Sequence, residues 1–600
     1  MKKWQRAMAL ACAGLMSVSA FAGCQVDDGT SSDPLTINVR ALKASWGENW
    51  INELVEKFET AYATENWKVN VLKPTADIRG GVVTNELYQG YENTAIDMYI
   101  TGDLTSASLG QEHAEYETFG VLAEEIGHLW DKKAIGFDGQ EEDKTLREKV
   151  VKGIDEGSYD IYGKCYTLPY MAQTGGLVVN LNKLGFYGIT ELPRTTDELF
   201  EVWDTIYTGY NQDGEKVYDN TEKSKLAPFT YTPGTKVWYT IDWATTLLAQ
   251  YDAQQYSEWI SWQTTTETGY DWFQGDVAKT VESDMVLETL TVLAQAFDTN
   301  LAARGTASQS LDQAQAQIMK SKQGAVFMCN GSWYLNDMAI GYKDDLDKIT
   351  FMNYPVISAI ADKLWADTVS DEAKREEMLR YAIDQVDDVT KMDDAAAIAA
   401  DMSDRFATEV TEDDVKDIRR ARGVYSDRMT SGSTLLITKG VSGVKKEICE
   451  TFIRFMASDD AARVMAESAN ATSAYMQEEN TYSNYRFVKD ASKIAVHKYA
   501  SPASNKSTGY RYVLGQTGNF LKNGHITSVI VGRADAKSIY DGKGGRHATN
   551  TTAVYRELAV ALQKDEADHM KANIATWEAS KQAVIARYTQ IYTDRGITIE

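Results

Sequence analysis

The sequence predicts an α/β fold spread over at least two domains, and three observations carry that expectation. From position 35 onward, apolar residues switch between the two-residue spacing of strands and the three-to-four-residue spacing of helices. At 600 residues the chain exceeds what one hydrophobic core ordinarily serves. Its 43% hydrophobic content is ample for cores, whereas five cysteines are too few to staple them.

The elements follow in order. Residues 35–40 alternate apolar and polar side chains, and Ile51, Leu54, Val55, Phe58 and Tyr62 then line one helical face. Strands at 67–72 and 95–100 continue an alternation that implies a parallel sheet covered by helices. Two more strands, 164–168 and 176–180, flank Pro169. Pro193, Thr195 and Glu198 read as a capping box that opens a helix through Leu199, Val202, Trp203 and Ile206. Helical patterns at 287–297 and 311–322 lead into an apolar strand, 324–329, closed by a tight turn at 330–333. Residues 361–425 are charged and helical, an inserted patch. A strand at 434–438, helices at 444–456 and 459–466, and helical spacing through Tyr555, Leu558, Leu562, Trp577 and Tyr588 complete the chain.

The first 24 residues pair a basic start (Lys2, Lys3, Arg6) with an apolar stretch, 7–22, the layout of a cleaved export signal. Phe21, Ala22, Gly23 and Cys24 resemble the lipobox of bacterial lipoproteins, which implies cleavage before Cys24 and acylation of its thiol. The alternative is a chance cysteine in an ordinary signal peptide. Residues 25–34 are polar and rich in Gly, Ser and Asp, as a flexible tether is. The net charge of −26 makes nucleic acid a poor partner, because nucleic acid rewards basic patches. Cys165, Cys329 and Cys449 permit at most one disulfide.

Catalytic and metal signatures are weak. The six histidines show no metal-ligand spacing, so no metal and no cofactor are expected. Neither a nucleophile elbow nor a phosphate-binding loop is present, and Asp213-Gly214 reads as a hairpin turn. With 87 acidic residues, carboxylate pairs occur everywhere, so a glycosidase is not excluded.

Four landmarks carry a family resemblance: Trp46-Gly47 before a helix; YTLPYMAQTGGLVVNLNKLGFYG at 166–188; the helix start PRTTDEL at 193–199; and KSKQGAVFMCNGSW at 320–333. In this order they resemble the carbohydrate-type, maltose-binding-protein-like (family 1) extracellular solute-binding proteins of ABC importers. Lys322-Gln323-Gly324 departs from the family's Gly-Lys pair, and 361–425 and 476–600 are longer than a typical member needs. The resemblance implies a two-lobed, periplasmic-binding-protein-like (type II) α/β fold with hinge strands. Carried over by order, signal peptide 1–23 and tether 24–34 precede an N-terminal lobe of 35–168 plus 355–433 and a C-terminal lobe of 169–354 plus 434–600. It further implies a monomeric binding protein, not an enzyme, anchored through Cys24 on the outer face of a bacterial membrane, that passes an oligosaccharide to permease subunits.

A sugar offers apolar ring faces and a rim of hydroxyls, so its site needs aromatic platforms and short polar groups. The 14 Trp and 33 Tyr allow such a site. Trp333, on the turn after the apolar strand, is the leading platform. Trp46 occupies a strand-to-helix loop, where open α/β sheets present ligands, and Tyr170 follows the crossing strand. Trp238 and Trp272 bracket the richest aromatic segment, in which Trp243 and Leu247 read as core. Glu48, Asp103, Gln173, Asn330 and Ser433 are the polar candidates by loop position. Three alternatives stay open: a binding protein for a peptide or other solute, a surface glycoside hydrolase or lyase, and a structural adhesin.

Overall fold

A computed structural model describes residues 29–475, with short gaps of which 110–121 is the longest, together with 551–572 and positions 582 and 586. The chain opens with β1 (Thr36–Ala41), α1 (Asn49–Ala61), β2 (Lys68–Leu72), α2 (Gly80–Gln89) and β3 (Met98–Thr101). A hairpin, β4 (Lys133–Ile135) with β5 (Glu141–Thr145), and three short crossing strands follow: β6 (Leu168–Pro169), β7 (Met171–Ala172) and β8 (Thr174–Asn180). Next come α3 (Thr196–Thr208), β9 (Leu226–Thr230), α4 (Trp238–Tyr251), the hairpin β10 (Gln263–Thr265) and β11 (Tyr270–Trp272), α5 (Asp284–Ala296) and α6 (Leu311–Met319). β12 (Gly324–Gly331), α7 (Tyr334–Tyr342) and β13 (Ile349–Met352) lead to the helices α8 (Ala359–Trp365), α9 (Glu372–Asp387), α10 (Ala395–Phe406) and α11 (Glu412–Gly423). The chain then runs through β14 (Ser426–Asp427), β15 (Thr434–Ile437), α12 (Gly443–Met456), α13 (Asp459–Ala469), β16 (Thr472–Ser473) and α14 (Thr551–Ala572).

Two five-stranded sheets organise these elements. The first has the order β2-β1-β3-β15-β6, with β1 parallel to β2 and β3 and with β15 antiparallel to both β3 and β6. The second has the order β13-β8-β12-β9, and β14 pairs with the start of β8. β1 is buried along almost its whole length, as a parallel strand covered on both faces must be. The α1 residues Trp50, Ile51, Leu54 and Phe58, one helical stripe, close over it.

The expected two lobes are present, but two segments exchange places. Residues 355–423, expected in the N-terminal lobe, pack on the second sheet, where Trp365, Met378, Leu379, Ile383 and Ile418 join its core. Asn353 Nδ2 donates to the Val424 carbonyl at 2.9 Å, and the Ile357 N–H to Gln250 Oε1 at 3.0 Å. Conversely, 434–475 returns to the first lobe. β15 lies against β3 in the register Thr434↔Thr101 to Ile437↔Met98, and Phe452 and Phe455 meet Phe58 edge-on at 5.1 and 5.4 Å. The cause is that apolarity marks a strand without saying which sheet it joins. α14 belongs to the second lobe, where Tyr555 Oη donates to Asp298 Oδ2 at 2.9 Å beside α5.

Several local readings hold. Helices fill the expected inserted patch, Trp243 and Leu247 are fully buried, and Tyr210 and Lys216 bridge across the turn at Gly214. The capping box at α3 forms only in half. Thr195 Oγ1 accepts from the Glu198 N–H at 3.3 Å, but the Glu198 carboxylate takes the Arg194 N–H at 2.7 Å and its guanidinium. Arg194, one residue earlier, offers a charged partner that the cap's own N–H does not match. Cys165, Cys329 and Cys449 are all free and buried. The signal segment, Cys24, Trp577 and Tyr588 lie outside the described residues.

Candidate functional site at the interlobe seam

The chain passes from the first lobe to the second through β6–β8; it lies on the second sheet at β14 and against the first lobe again at β15 and β16. The ends of these segments meet at Tyr170. Its N–H donates to the Ser433 carbonyl at 3.1 Å, and its own carbonyl accepts from the Ala474 N–H at 3.3 Å. β7 and β16 continue the pairing from that second bond, Ser473 opposite Met171 and Thr472 opposite Ala172. The Tyr170 ring stacks on Trp50 with centroids 5.7 Å apart and planes within 6°. Burial raises its phenol pKa, and the neighbouring Ser433 and the charge of Arg79 oppose that rise only in part.

Trp333, on the turn after β12, packs against both of the chain's buried apolar clusters. Its indole N–H donates to Tyr239 Oη at 3.1 Å, and the two rings lie 6.0 Å apart, tilted by 30°. One face of the indole lies on the backbone of Gly331. A Cβ there would stand 2.1–2.4 Å from three ring carbons, so only glycine admits this ring position. Asn330 is buried, and its Oδ1 accepts from the Gly331 N–H at 2.7 Å, which stiffens the turn from within. Just beyond, Asn470 Nδ2 at the end of α13 donates to Asn336 Oδ1 on α7 at 3.1 Å, tying one lobe to the other.

The remaining candidates divide by location. Trp46, 7% exposed, lies in the turn after β1 and packs in the first core, while Glu48, half-buried before α1, pairs with Lys43 at 3.2 Å. Tyr170, which follows the crossing strand, and Asn330 and Ser433, polar candidates by loop position, lie deeper. All three are 0% exposed, because the crossing passages and the turn enclose them, so they build the seam and offer it no surface. Trp238 begins α4 and Trp272 ends β11, with side chains outside the described residues, as are Asp103 and Gln173 entirely. Two important side chains escaped the candidate list. Tyr239 stood in the aromatic segment without a signal separating it from its neighbours, and Trp50 read as one position on a helix face.

Among the described residues no group of three or more His, Cys, Asp or Glu is placed to hold a metal ion, and no helix is long and apolar enough to cross a membrane.

The fold is two α/β lobes, each with its own sheet, joined by crossing strands. Solved structures similar to this chain include a chitin oligosaccharide binding protein at 13% identity (TM-score 0.44, 89% of this chain and 100% of that one). Another is a probable secreted solute-binding lipoprotein from Streptomyces coelicolor at 14% (TM-score 0.47, 89% and 99%). A third is an ABC transporter binding protein from Bifidobacterium animalis subsp. lactis in complex with mannobiose at 14% (TM-score 0.43, 88% and 95%). No protein-family model matches the chain, and no curated protein sequence is similar to it.

Proposed function

We propose that this protein captures an oligosaccharide between its lobes and hands it unchanged to the permease of an ABC importer, held at the outer membrane face by a lipid on Cys24. The observation that supports this most is the seating of Trp333. An indole clamped by Gly331 and Tyr239, packed against both of the chain's buried apolar clusters, is a flat apolar platform held in a fixed place. A sugar ring stacked there gains more when the lobes come together, and that difference in affinity is what lets a ligand favour closure. Further contacts are assigned to Trp46, Glu48, Asp103, Gln173, Trp238 and Trp272, with Tyr170, Asn330 and Ser433 holding the passages in place.

Calorimetry of the mature chain against a panel of neutral oligosaccharides tests the reading. At least one glycan binds, Trp333→Ala weakens it tenfold or more, equivalent to about 1.4 kcal/mol, and the recovered sugar carries no new reducing ends. Absence of any binding glycan, equal affinity in the variant, or cleavage of the ligand would each overturn it.

A further inference from the structure

Beside the edge strand β9, a solvent-open cavity of about 350 Å³ is lined by Arg304, Ser308, Gln309, Gln313, Gln317 and Lys320. Two cations and no carboxylate form its walls, on a chain whose net charge is −26. Arg304 is exposed and makes no ion pair among the described residues, and the Lys320 ammonium meets only Gln317 Oε1 at 3.3 Å. Gln309 is 7% exposed. Its Nε2 donates to Thr230 Oγ1 at 2.6 Å and to the Tyr231 carbonyl at 2.9 Å, which fixes the amide and leaves its oxygen without a donor among the described residues.

Behind this wall sits a third basic group. Lys183 is 1% exposed, and its ammonium donates to the carbonyls of Gln317 at 2.9 Å and Ala325 at 2.7 Å. Burial, and then the neighbouring Lys320, push its pKa down to about 7. A buried ammonium held by carbonyls alone gains from any anion placed nearby. Gly324, with φ +84°, keeps the wall closed, since a Cβ there would lie 2.2 Å from the Gln317 carbonyl oxygen.

We propose that this cavity is a second binding site, for an acidic sugar of the hexuronate class. The carboxylate meets the guanidinium of Arg304 and the ammonium of Lys320, a pairing the planar fork favours. The hydroxyls meet Ser308, the unfilled carboxamide oxygen of Gln309, which accepts, and the carboxamide of Gln313. The volume lies at the small end of the roughly 300–1,000 Å³ typical of ligand pockets, enough for one sugar unit.

The test is calorimetry at low salt on the mature chain and on Arg304→Gln/Lys320→Gln, with glucuronate, glucose and inorganic sulfate as probes. Glucuronate binds the parent, its affinity falls at least tenfold in the double variant, and glucose gives no signal that the double substitution removes. Both substituted side chains are exposed, so an unchanged melting temperature accompanies the loss. The affinity for any neutral oligosaccharide bound by the parent stays the same in the double variant, which separates this site from the interlobe cleft. Equal glucuronate affinity in parent and variant, or no binding to the parent, would overturn the site. Displacement of glucuronate by equimolar sulfate would overturn its assignment to a sugar.

Discussion

At the residue scale, the seam depends on one backbone position without a side chain. Gly331→Ala forces the Trp333 ring off its seat, an overpacking cost of about 1–3 kcal/mol, measurable by urea denaturation. In a Trp333→Ala background the same substitution costs far less, because the clash has lost its partner, and a double-mutant cycle reads that coupling directly. Both residues were visible in the chain as the N-G-S-W turn, and the turn itself was legible. The clash behind the glycine was not, since it requires the indole to fold back over its own strand. A second residue-scale outcome concerns the thiols. Cys165, Cys329 and Cys449 are buried, and burial raises all three pKa values, Cys165 to about 12. A thiol reagent therefore labels none of them in the folded chain and three after unfolding.

At the element scale, the inserted helices are docked through a carboxyl group held away from water. Glu376 on α9 accepts from Thr195 Oγ1 at the N-cap of α3, and desolvation, reinforced by the nearby Asp197, pushes its pKa up to about 8 from an ordinary 4.5. The unfolded chain releases this proton near pH 4.5, whereas the folded chain holds it until about pH 8. This group's contribution to stability is therefore most favourable below 4.5 and is lost as pH rises through 8. Glu376→Gln keeps an acceptor for Thr195 and removes the ionisation. The variant melts with the parent near pH 4 and above it at pH 8, and a series of thermal melts across that range checks the crossover. A parent and variant that track each other at every pH would show Glu376 to be ordinary. Thr195, Glu198 and the helix they open were readable from spacing. The partner that reshaped the cap, Arg194, and the helix that docks on it, 181 residues away, were not.

At the scale of the whole molecule, Tyr170 joins the crossing strands to Ser433 and Ala474 by two backbone bonds and to Trp50 of α1 by one stacked ring. Tyr170→Phe keeps the bonds and the stack, and its stability stays within about 1 kcal/mol of the parent. Tyr170→Ala removes the ring from a fully closed environment and costs about 3–5 kcal/mol by chemical denaturation. If ring and passages are coupled as described, the alanine variant also loses oligosaccharide affinity while Trp333 remains in place.

The sequence by itself determined the kinds and order of elements, the α/β class, the helical patch and the glycine-bounded turn at Trp333, because periodicity and local turn chemistry record which face of a segment is buried. Only the tertiary structure decided that β15 joins the first sheet, that the helical patch joins the second lobe, and that Tyr170, Asn330 and Ser433 close inward. A buried face does not name what buries it. That choice is made by pairings hundreds of residues apart, such as Thr434 with Thr101, which no local pattern carries.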